Sequence, residues 1–164
     1  MKNEERPQHQ ATARSRTVAT TVLMVATFMD LMDSTITNVA LPTIGKDLHA
    51  TPEQLEWTLA GYVIAFATLL ITGGRLGDIF GHRRIFVIGM VGFTLASLGA
   101  ALSQTGDLLV ATRVIQGAFA GIMVPQVLSS VQVMYAPEDR GPVLGLIGAL
   151  SSLGAVGGLV LGGW

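Results

Sequence analysis

Three long stretches of the chain carry no charged side chain: residues 85–106, 114–137 and 141–164. Each is longer than the about 20 residues with which a helix crosses a hydrocarbon core about 30 Å thick. A fourth charge-free stretch, 57–74, is slightly shorter and still long enough to span. A fifth apolar segment near the start is interrupted by Asp30 and Asp33. None of these segments alternates with period two, and all exceed the length of a barrel strand. The pattern therefore predicts an all-α integral membrane protein with five transmembrane helices, at about 17–41, 56–75, 84–104, 107–134 and 142–164. Residues 1–16 are polar and are expected to form a disordered tail.

Short connections join the predicted spans, as expected for helices packed in chain order. Thr51-Pro52-Glu53 reads as a helix start, with Thr51 as the cap, Pro52 in the first turn and Glu53 near the positive end of the dipole. Ala136-Pro137-Glu138-Asp139 repeats that punctuation before the fifth span. The chain stops at Trp164, just after Gly162 and Gly163 and before any charged flank, so it is expected to be a fragment of a longer protein.

Composition sharpens the picture. Half of the 164 residues are apolar and only 13% are charged, against about a quarter in a soluble domain. Net charge is -1, which gives no basic excess for nucleic acid, and the absence of cysteine excludes disulfides and thiolate metal sites. Histidines at 9, 49 and 82 are scattered, so neither a metal site nor a Ser-His-Asp arrangement can be built, and an enzyme is not expected. Lys2, Arg6, Arg14, Arg16, Arg75, Arg83, Arg84 and Arg140 fall on one side of the predicted topology and only Lys46 on the other. That bias places the N-terminus in the cytoplasm of a multi-pass cell-membrane protein.

Three sets of residues stand out. Asp30 and Asp33 share one helix face at membrane depth, where two acids cannot both ionise cheaply. They can exchange a proton or attract a cationic substrate; alternatively they cap a broken helix or bond a neighbour. Arg113, with Gln116 one turn on, is the natural counter-ion, unless it snorkels from the edge of its span. The segment Gly74-Arg75-Leu76-Gly77-Asp78-Ile79-Phe80-Gly81-His82-Arg83-Arg84 reads as a tight cytoplasmic hairpin turned by its glycines, with Asp78 placed to hold an arginine or a helix N-terminus. Gly117 and Gly121, then Gly154, Gly158 and Gly162, recur at intervals of four, which lines up smooth faces for close helix packing. No G-x-G or phosphate-loop spacing occurs, so these glycines do not read as a nucleotide site.

From about residue 17 onward the chain resembles the major facilitator superfamily, and within it the fourteen-helix drug:proton antiporters. Gly74, Leu76, Asp78, Gly81 and Arg83 match the superfamily's signature between spans two and three, with Ile79 and His82 where basic residues are usual. Leu109 through Gly117 looks like its span-four motif, and Asp33-Ser34-Thr35-Ile36-Thr37-Asn38-Val39-Ala40-Leu41-Pro42 resembles the span-one motif of the fourteen-helix branch; Asp30 lies outside it. In span five the glycines fit, but Leu159 stands where a proline associated with exchange is expected, leaving antiport and symport open. The resemblance implies most of the N-terminal six-helix half of a carrier, whose remaining helices are its partners. It implies proton-driven export of small amphipathic or cationic compounds, with the proton gradient as energy source and no cofactor. Asp33 with Asp30 would exchange the proton, Arg113 would tune it, and Asp78 with Arg83 would latch a gate. Five helices alone are not expected to transport. A sugar or metabolite carrier, or a truncated membrane remnant acting as an interaction partner, are the alternatives.

Overall fold

The computed structural model describes residues 8–163, with side chains described from Arg16 onward. Five helices follow one another: α1 (Gln8–Asp47), α2 (Pro52–Phe80), α3 (His82–Ala101), α4 (Gly106–Met134) and α5 (Pro137–Gly162). All five are long and apolar enough to cross a membrane, and no strand occurs among the described residues. The fold is all-α and membrane-spanning.

The helices outrun the apolar windows that announce them. Helix α1 begins at Gln8, so residues 8–16 of the expected tail continue the first helix, while residues 1–7 of that tail lie outside the described residues. Apolarity measures the width of the bilayer, whereas a helix continues on propensity until a breaker stops it, and 8–16 contains no glycine or proline. Helix α2 likewise starts at its cap. Thr51 accepts from the backbone N–H of Gln54, and the Gln54 side chain accepts from the N–H of Thr51 at 2.9 Å, a reciprocal capping box with Pro52 in the first turn. Thr105 caps α4 one-sidedly, its hydroxyl accepting from the N–H of Leu108.

Missing side chains decide how closely the helices approach. A Cβ at Gly121 would lie 2.5 Å from the Phe66 carbonyl oxygen, and one at Gly117 would meet the Tyr62 carbonyl, so α2 and α4 touch backbone to backbone. Opposite, a Cβ at Gly73 would lie 2.5 Å from the Gly121 carbonyl oxygen. Pro125, four residues after Gly121, has no N–H to offer that carbonyl, which leaves it free to face α2. Along α1 and α5 the match runs in steps of one turn: Gly154 against the Phe28 carbonyl, Gly158 against that of Met32, Gly162 against that of Ile36. The outcome is two tightly packed blocks, α2-α3-α4 with α4 central, and α1-α5. Between the blocks lies a core of longer side chains, in which Leu23 and Met24 of α1 meet Met123, Val127 and Val131 of α4 and Ile147 of α5. Apolar residues such as Ile71, Leu95 and Val133 point outward, as lipid-facing residues do.

Glycines facing a neighbour and glycines facing outward should respond oppositely to substitution. Gly121→Leu should lower stability by about 1–3 kcal/mol or more through overpacking against α2. Gly148→Ala, where nothing lies within 4 Å, should be neutral or stabilising by up to about 1 kcal/mol. Thermal unfolding of the purified variants in detergent checks both.

Candidate functional site: a buried arginine between four helices

Arg113 projects from α4 into the bundle and is only 3% exposed, so it does not snorkel to the interface. Its Nη1 donates to Asp33 Oδ2 at 2.6 Å and to Gln116 Oε1, one turn along α4, at 2.6 Å. The Tyr62 ring of α2 lies under the guanidinium, 4.3 Å from ring centroid to Cζ. Gly117 makes this possible: without a side chain there, the Tyr62 backbone sits against α4 one turn from Arg113. The Tyr62 hydroxyl donates to Asp30 Oδ1 at 2.6 Å, and Ser97 of α3 donates to Asp33 Oδ1 at 3.3 Å. Asp30, Asp33, Arg113 and Gln116 are thus brought into one cluster, completed by Tyr62 and Ser97.

The electrostatic logic is simple. A guanidinium cannot lose its proton at physiological pH, and an unpaired one at membrane depth is expensive. Asp33 supplies the opposite charge and Tyr62 the electron-rich ring face. Two donors remain buried without partners, Arg113 Nε and Gln116 Nε2. Such donors favour any acceptor oxygen that reaches them. No group of His, Asp and Glu suited to a metal ion occurs among the described residues.

A second constellation lies at the α2–α3 connection, and here the structure corrects the expected hairpin. Helix α2 does not turn at Gly74 or Gly77 but runs on to Phe80, and the reversal falls on Gly81 alone, whose φ of 92° suits glycine. Gly77 serves packing: the space of its missing side chain is filled by Gln126 Oε1 and His82 Nδ1. Gly74 is half-buried, near Pro125. Asp78 faces His82 at 3.5 Å rather than Arg83, and Arg83 and Arg84 are both exposed. With His82 in place of a longer basic residue, the contact is made within one turn, so Arg83 is not drawn in. The element that ties the three helices is Gln126, fully buried in α4. Its Nε2 donates to the Gly73 and Ile122 carbonyl oxygens at 2.7 and 3.0 Å, which fixes its Oε1 as acceptor for His82 Nδ1 at 2.8 Å.

Comparison with known proteins places this architecture. The sequence profile of the Major Facilitator Superfamily matches residues 23–164. The chain belongs to that superfamily. Its similarity to a probable actinorhodin transporter of Streptomyces coelicolor is 40% identity over 149 residues, 91% of this chain and 26% of the relative. The tetracenomycin C resistance and export protein of Streptomyces glaucescens is 38% identical over 89% of the chain and 26% of its own length. The probable multidrug resistance protein EmrY of Escherichia coli is 37% identical over 88% of the chain and 28% of its own length. The chain therefore spans about a quarter of the length of these relatives. It is a multi-pass membrane protein of a transporter family, not of an enzyme family.

Within this major facilitator chain, Tyr62, Ser97 and Gln126 escaped the sequence reading. Each is a polar group inside a charge-free span, and a hydroxyl or amide at membrane depth that needs a partner was the available signal. Gln126→Leu removes the partner of His82 and of the Gly73 carbonyl. It should cost about 1–3 kcal/mol and raise cysteine-labelling rates at residues near the α2–α3 turn, measured with single-cysteine reporters.

Proposed function

We propose that the complete carrier containing this chain exports small amphipathic or cationic compounds in exchange for protons. The observation that carries the proposal is the 2.6 Å pair between Asp33 and Arg113, an acid that can titrate held by a base that cannot. Protonation of Asp33 cancels the attraction across the joint between α1 and α4. Release of the proton restores it, so proton movement is tied to movement of one helix block against the other. The names of the relatives, a probable actinorhodin transporter, a tetracenomycin C resistance and export protein and a probable multidrug resistance protein, support the export of small organic compounds. The proton gradient is the energy source, the N-terminus is cytoplasmic, and the α2–α3 turn with Asp78, Arg83 and Arg84 lies on the cytoplasmic face.

Carriers of this kind hold substrate near the bilayer midplane between two halves that rock about it. Five helices supply only part of such an enclosure, so the segment alone does not transport, and the remaining helices of the carrier are its partners.

In the full-length carrier Asp33→Asn should abolish pH-driven efflux of a cationic dye while leaving membrane insertion intact, because it removes the titration and keeps the shape. Unchanged pH-driven efflux by that variant would remove Asp33 from the mechanism. The five-helix segment expressed alone should give no efflux above empty vector.

A further inference from the structure

Asp30 stands apart from the span-one motif, yet it is tied to the same guanidinium as Asp33. The link is Tyr62, whose ring lies under Arg113 at 4.3 Å while its hydroxyl donates to Asp30 at 2.6 Å. Asp30 also precedes Asp33 by one turn of the same helix. Arg113 is engaged through Nη1 only in its bonds to Asp33 and Gln116, and its buried Nε has no partner. One guanidinium therefore faces two carboxylates one helical turn apart, one bonded directly and the other through an aromatic bridge.

We propose that Tyr62 is a positioning residue that couples Asp30 to Arg113, so that the cluster's proton is shared by two carboxylates instead of resting on Asp33 alone. This deepens the proton-exchange reading and rests on it. The charge count shows why sharing works. With both acids ionised the cluster carries one excess negative charge, and with one proton bound it is neutral whichever acid holds it. When a proton bonds to an Asp33 carboxylate oxygen, Arg113 keeps its own proton and loses its direct counter-ion. Asp30, held nearby by the Tyr62 hydroxyl, then balances the guanidinium. The new O–H bond replaces one of a hydronium ion from the aqueous side, which leaves as water; it lies on Asp33 or on Asp30, one acid at a time, and Tyr62 keeps its phenolic proton throughout.

The groups that face this cluster are few. Helix α1 contributes Asp30 and Asp33 with the neutral Ser34, which bonds the Tyr62 hydroxyl, α2 Tyr62, and α4 Arg113 with the neutral Gln116. Helix α3 contributes the neutral Ser97. Helix α5 packs on α1 through Gly154 and Gly158, and its charged residues Glu138, Asp139 and Arg140 lie at its start, where Arg140 donates to the Tyr135 and Gln132 carbonyl oxygens. No further charge from a packed helix competes with the two acids among the described residues.

Infrared pH-difference spectroscopy on the purified full-length carrier, with no substrate added, reads the protonated carboxyls directly. Asp33→Asn and Asp30→Asn assign their bands. In Tyr62→Phe, which keeps the ring and removes the hydroxyl, the Asp33 band should titrate with a midpoint displaced by about one pH unit, a tenfold change in proton affinity. Asp30→Asn should also displace it, and Tyr62→Phe added to Asp30→Asn should change nothing further, because Tyr62 acts through Asp30. An Asp33 midpoint identical in wild type and Tyr62→Phe overturns the coupling, whatever Asp30→Asn does. Should Tyr62→Phe not accumulate, Tyr62→Leu, which also removes the hydroxyl, replaces it in the same comparison. Dye efflux by Asp33→Asn tests the export reading separately, so failure of one is distinguishable from failure of the other.

Discussion

A guanidinium that cannot shed its charge, buried in a bundle of membrane helices, constrains everything around it. Insertion of an arginine at membrane depth costs at least about 2.5–3.5 kcal/mol, and Arg113 is turned inward instead of reaching for the interface. Four helices answer that charge. Helix α1 provides the carboxylate, α2 the ring face, α3 the hydroxyl that steadies the carboxylate, and α4 the amide of Gln116 beside the arginine itself. Moving any one of them changes the environment of a charge that has nowhere else to go.

Backbone contact makes the cluster reachable. Tyr62 lies over Arg113 because Gly117 lets α2 press against α4, and α1 is held in place from behind by the steps of Gly154, Gly158 and Gly162. The two blocks, α2-α3-α4 and α1-α5, are each joined by smooth faces. They meet one another through longer side chains: the Leu23–Val127 core, the Asp33–Arg113 pair and the hydrogen bonds of Tyr62 to Asp30 and of Ser97 to Asp33. A joint made of one ion pair and flexible side chains is easier to alter than a glycine seam, which is dense and has few alternative packings. The titratable interaction and the adaptable interface therefore coincide.

Much of this was legible in the residues themselves. Four charge-free runs and one apolar run broken only by Asp30 and Asp33 announced five spans because lipid tolerates few charges, and Thr51-Pro52-Glu53 announced a helix start because its chemistry is local. Asp33 and Arg113 could be singled out because charges at membrane depth demand partners; which groups they meet depended on the packing of separate helices. Tyr62 looked like one more aromatic in an apolar run, and its role emerges only when Gly117 brings α2 against α4. The α2–α3 connection misled for a related reason. A glycine-rich segment is compatible with turning and with close packing; here Gln126, some 50 residues away in sequence, fills the space at Gly77 and bonds the Gly73 carbonyl of a helix that runs on to Phe80. The start of α1 was hidden because a helix can extend past the bilayer that its apolar residues measure.

The ion pair between the buried Arg113 and the partly exposed Asp33, on which the helix packing depends, is read out by a double-mutant cycle on the stability of the purified full-length carrier. Removing Asp33 leaves a buried guanidinium uncompensated, whereas Asp33 left without Arg113 is still partly solvated, so the first loss is the larger. Asp33→Asn and Arg113→Gln are each expected to lower the unfolding temperature, and the double variant to recover most of the loss. Losses that simply add would contradict it, since residues that do not interact contribute independently.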